Sequence, residues 1–83
     1  MTGELTRHGA SIESSEGWLV RLVDPELIEY RFGSTTCLVN VGYSHAERAR
    51  EIFASESRSE WFPNLCEHIQ SAVQLFEGRY IVV

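Results

Sequence analysis

Between Leu27 and Val41 the chain reads LIEYRFGSTTCLVNV, two alternating runs joined by Gly33-Ser34. A two-residue loop that begins with glycine suits a type II′ turn, whose twist matches that of the strands it joins. With that loop, Phe32 faces Thr35, Tyr30 faces Cys37 and Ile28 faces Val39, all on one side of the hairpin. The other side carries Arg31 with Thr36, Glu29 with Leu38, and Leu27 with Asn40. A slip of one residue would exchange the two sides, so turn and pattern specify the same register.

The flanking segments extend this pattern. Residues 1–9 are polar, contain Gly3 and Gly9, and read as a frayed start. Ala10 to Val23 reads as a second hairpin turning at Glu16-Gly17, with Trp18, Val20 and Leu22 on one face and Leu19, Arg21 and Val23 on the other. Asp24-Pro25 ends it. After Gly42-Tyr43, the run Ser44-His-Ala-Glu47 has the form of a capping box, and Ala46, Ala49, Ile52 and Phe53 make one helical stripe. This predicts a helix to about Ala54 and a polar loop over 55–60. A second helix is predicted from Asn64, with Glu67 completing a cap, Gly78 as the stop, and Leu65, Ile69, Ala72, Val73 and Phe76 as its core face. Trp61 and Phe62 anchor its entry, and Arg79 to Val83 reads as a last strand.

Eighty-three residues make one domain, and 43% hydrophobic residues with a mean hydropathy of −0.15 describe a folded chain with a small core. The fold class expected is α+β: an antiparallel meander of about four strands, one or two helices on one face, and a C-terminal strand closing the sheet. All seven basic residues are arginine, against twelve acidic ones, for a net charge of −5. That balance argues against a surface that tracks a nucleic-acid backbone. No stretch approaches the length of a membrane span, and the first residues carry neither a basic leader nor an apolar run. A reducing, cytoplasmic setting is expected, with Cys37 and Cys66 as small buried thiols.

Cys66 and His68 are the residues nearest to a reactive pair. On a helix they lie about 200° apart and cannot face one metal, and the i, i+2 spacing is not that of zinc ligands. His68 reads as a boundary residue packing near Trp61. A site assembled from His8, His45, His68 and both cysteines has only residue counts behind it. No phosphate-binding glycine motif, zinc-protease motif or nucleophile elbow is present, so no enzyme, cofactor or metal is expected.

Taken together, YRFGSTTCLVNV (30–41), EWFPN (60–64), the amphipathic helix and the terminal GRYIVV (78–83) resemble small bacterial immunity proteins of polymorphic toxin systems. The resemblance covers roughly two thirds of the chain and rests on turn, Trp-Pro and strand features. In that family a strand usually precedes the Trp, which implies an extended conformation for Glu51 to Ser57 where the capping box favours a helix. It also implies binding and blocking of a partner toxin or enzyme, and it carries no catalytic residues. The residues expected at such an interface are Leu27, Glu29, Arg31, Leu38 and Asn40 on the outer hairpin face, and Trp61 as a separate candidate hot spot at the helix entry. Two alternatives stand beside this one. A phage-type inhibitor or nucleic-acid mimic would present Glu47, Glu51, Glu56 and Glu60 as phosphate substitutes. A homodimeric structural subunit would join through Tyr80 to Val83 as an edge strand.

Overall fold

The computed structural model describes residues 3–54 and 62–83. Among these residues the elements follow in order: β1 (Leu5–His8), β2 (Ser11–Ser14), β3 (Trp18–Asp24), β4 (Leu27–Phe32), β5 (Thr35–Ser44), β6 (Ala49–Ile52), α1 (Leu65–Val73) and β7 (Tyr80–Val82). The strands form one sheet in sequence order, antiparallel from β1 to β6, with β7 parallel to β6. A parallel pair needs a crossover, and α1 lies in it. The sheet curls into a half-barrel around this helix.

The fold is α+β with a C-terminal strand on the sheet, as expected, but the antiparallel meander has six strands rather than about four. The central hairpin has the expected register throughout, from Phe32 with Thr35 to Leu27 with Asn40. Gly33 takes φ 61° while Ser34 stays at negative φ, as a type II′ turn requires. β5 is long because it serves two partners. Its first six residues pair with β4 and its last four with β6. Val41 donates its N–H to Glu26 while the adjacent Asn40 carbonyl accepts from Phe53, so the two partners use opposite edges of the strand.

The concave face buries Ile12, Val20, Ile28, Tyr30, Val39 and Ile52 with no solvent exposure. Helix α1 fills the concavity with Leu65, Ile69, Ala72 and Val73, and Phe76 follows just beyond its end. These are the residues of the expected helical stripe. At 25 cal/mol per Å² of buried apolar area, each such Ile, Leu or Val contributes roughly 1.5–3 kcal/mol, before the cost of ordering the chain.

Three local expectations are corrected. Leu5–His8, expected within a frayed start, is strand β1, paired residue by residue with β2. It is tied to the helix end, where the Arg7 guanidinium donates to the Leu75 carbonyl at 3.0 Å and lies 5.5 Å from the centre of the Phe76 ring. The helix expected from Ser44 to Ala54 is a tight turn followed by β6. Half of the cap is present, since the Glu47 N–H reaches Ser44 Oγ at 3.3 Å, but Arg48 at φ 52° reverses the chain. The N–H and C=O groups of Val41 to Ser44 find a sheet partner there, which outweighs the helical preference of a short run. The extended alternative holds at Glu51 and Ile52. The third correction concerns Asn64, whose side chain makes no capping bond; its carbonyl accepts the His68 N–H instead. The loop at 55–60 and Trp61 lie outside the described residues.

Candidate functional site

The convex face of β3, β4 and β5 carries the residues expected at an interface. Neighbouring strands put Arg21 opposite Glu29, and Glu29 opposite Leu38. Glu29 is buried, with one carboxylate oxygen 3.0 Å from Arg21 and the other 3.2 Å from Arg31. Both arginines remain half exposed, so the carboxylate is enclosed by two cations whose outer edges are hydrated. This carboxylate is a fixed part of the sheet. Leu38, by contrast, is 57% exposed, Asn40 is exposed, and Leu27 is half-buried.

Of the five outer residues expected, the structure brings together Glu29, Arg31 and Leu38, with Leu27 and Asn40 paired at one end of the hairpin. Trp61 lies outside the described residues. Arg21 was missed as a member of this face, although it falls on the outward alternation of β3. Its signal was the β3–β4 pairing, which the Asp24-Pro25 turn leaves one residue out of step through a bulge between Leu22 and Asp24. Helix α1 packs on the opposite face of the sheet from Leu38.

The concave face holds a second polar group that the sequence does not display. His68 is 4% exposed and stacks on Trp18, ring centres 4.4 Å apart and 10° from parallel. Phe32 lies parallel to it at 6.2 Å. The Tyr30 hydroxyl meets His68 Nδ1 at 2.7 Å. Burial pushes the imidazole pKa below its ordinary 6.5, against the opposing pull of Glu67 and Glu16. Burial, with a smaller contribution from Cys37, pushes the Tyr30 phenol up to about 12. A neutral phenol donating to a neutral imidazole satisfies both polar groups, and Nε2 then carries the ring proton. Among the described residues no acceptor meets the buried Trp18 Nε1.

The histidines and cysteines do not converge. His8 lies 3.7 Å from Glu13, His45 contacts the Tyr43 ring edge-on, and His68 belongs to the pair just described. Cys37 and Cys66 are unbridged and half-buried against the core rather than fully buried. Among the described residues no group of three or more His, Cys, Asp or Glu side chains is placed to hold a metal. Of the acidic residues expected to imitate phosphates, Glu47 is paired with Arg79 at 3.6 Å and Glu51 is half-buried, while Glu56 and Glu60 lie outside the described residues. No helix among the described residues is long and apolar enough to cross a membrane. No family model, curated protein or solved structure matches this chain.

Proposed function

We propose that this chain is a small protein-binding module of the immunity type, which binds and neutralises a partner toxin or enzyme through the convex face of β3, β4 and β5. The observation that carries the reading is Leu38, an aliphatic side chain 57% exposed on the convex sheet face beside a cluster in which one buried carboxylate holds two arginines and leaves a net positive charge. An apolar centre with a polar rim is the anatomy of a specific protein interface. The Arg21–Glu29–Arg31 cluster supplies rigid, directional donors at that rim, and arginine is a residue type enriched at such surfaces.

Replacing Glu29 is a poor test, because its loss leaves two facing arginines without their counter-charge and disturbs the sheet. Leu38→Arg combined with Asn40→Arg changes only exposed side chains. Affinity capture from lysate of the host, with bound proteins identified by mass spectrometry, is expected to recover a stoichiometric partner of toxin-like activity with the wild type and to lose it with the double variant, whose melting temperature stays near that of the wild type. Equal capture by a folded double variant rejects this face as the interface.

A further inference from the structure

The turn between β5 and β6 and the loop between α1 and β7 enclose a cleft of about 290 Å³ at one end of the sheet. Its floor is set by cross-strand register: Tyr43 pairs with Arg50, and Arg50 pairs with Tyr80. Directly paired residues project from the same side of a sheet. Tyr43, Arg50 and Tyr80 therefore stand in a row on one face of three neighbouring strands. Arg48 and Arg79 add to the basic wall, with Glu77 as the carboxylate of the lining. Three of the seven arginines in a chain of net charge −5 thus line one cleft.

Packing does not account for these arginines. Arg48 adopts φ 52°, the one positive φ outside glycine among the described residues, where glycine would sit without steric cost. Backbone strain of this kind persists where the surroundings over-determine it, and it clusters at ligand sites. Among the described residues neither Arg48 nor Arg50 has an ion-pair partner. Arg79 is fastened instead: its guanidinium donates to the Glu47 carbonyl at 3.2 Å and meets the Glu47 carboxylate at 3.6 Å, while its own carbonyl accepts the Arg50 N–H at 3.0 Å. Those bonds join the two walls and leave Arg48 and Arg50 as the uncommitted cations.

We propose that this cleft binds a single nucleoside phosphate. The guanidinium fork matches the oxygens of a phosphate two at a time. Tyr43, 56% exposed, offers a flat apolar surface on which a base stacks, and Tyr80, half-buried beside Phe76, backs the cleft on the other strand. Glu77, an acceptor at the same cleft, suits the hydroxyls of a sugar. The volume lies at the lower end for small-molecule sites and admits one nucleotide unit rather than two. The overall acidity opposes a phosphate polymer but not one phosphate held among local arginines, because charge is screened beyond roughly 10 Å at ordinary salt.

The test is an NMR titration of the full chain with the common ribonucleoside 5′-monophosphates, set against inorganic phosphate, free nucleosides and a short RNA oligomer. At least one monophosphate is expected to saturate and to shift the Tyr43 and Tyr80 ring signals, binding about tenfold or more tighter than phosphate or nucleoside alone, as two linked contacts require. Arg50→Gln is expected to weaken it by a similar factor. Arg48→Gly is the informative variant, since glycine accepts the turn and keeps the fold while the cation is lost. No saturation at millimolar monophosphate overturns the proposal. So does wild-type affinity in folded Arg48→Gly and Arg50→Gln, equal binding of inorganic phosphate, or tighter binding of the oligomer.

Discussion

At the scale of single residues, the Tyr30–His68 pair makes stability depend on pH from two sides. His68 has a folded-state pKa below its ordinary 6.5, so the unfolded chain takes up a proton more readily than the folded one. Its contribution is complete above pH 6.5 and is lost as pH falls from there through the lowered folded value. Tyr30 behaves oppositely. Its phenol, raised from 10 to about 12, contributes fully below pH 10 and loses that contribution between about 10 and 12. Urea unfolding across this range is expected to show a plateau between the two limits. His68→Phe, which retains a stacked ring, is expected to flatten the acid side, and Tyr30→Phe the alkaline side. An unchanged acid slope in His68→Phe removes His68 as its source.

Among the elements, β1 depends most on a contact remote in sequence. Helix α1 has no basic residue in its last turn, and Arg7 of the edge strand supplies the cation at that end, 68 residues away. Arg7→Ala is expected to cost about 1 kcal/mol and to speed amide exchange in β1 more than in β3 or β4; uniform protection across the sheet would show that β1 holds through pairing alone. The same contact explains why β1 was not legible in the sequence. Leu5 to His8 has no local pattern stronger than that of a polar terminus. By contrast, the β4–β5 register and the buried face of α1 could be read directly, because Gly33-Ser34 and the Leu65 to Phe76 stripe are local and agree with the periodicity around them. At 44–54 a local signal pointed elsewhere: Ser44 caps a turn as well as it caps a helix, and only the vacant edge of β5 decides between them. The candidate interface was legible in part. Its residues follow from alternation, whereas the burial of Glu29 depends on Arg21 from the next strand. The arginine cleft could not be read, since a parallel pairing joins Arg50 to Tyr80 across the whole helical crossover.

For the whole molecule, the sheet has two outer strands, and they differ in how they meet solvent. β1 is short and exposes Arg7 and His8, residue types that discourage pairing with another edge. β7 has three half-buried residues without charge, followed by Val83 at 49% exposure. A homodimer built on this sheet therefore uses β7. Sedimentation across a concentration series is expected to show any association abolished by Ile81→Lys, and a monomer throughout rejects the β7 dimer.

The division of β5 between two partners also sets where insertions and deletions can enter the gene. One residue added between Asn40 and Val41 would turn Val41 out of the core and bring a side chain to the place of Gly42, where a Cβ would stand 2.9 Å from the Phe53 ring. Both the hydrophobic ladder and the arginine cleft would lose their phase together. An added residue at Asp24-Pro25 or Gly33-Ser34 would lengthen one hairpin turn and leave the other ladders in step. Descendants of this chain are thus expected to differ in length at those turns and to keep ten residues in β5.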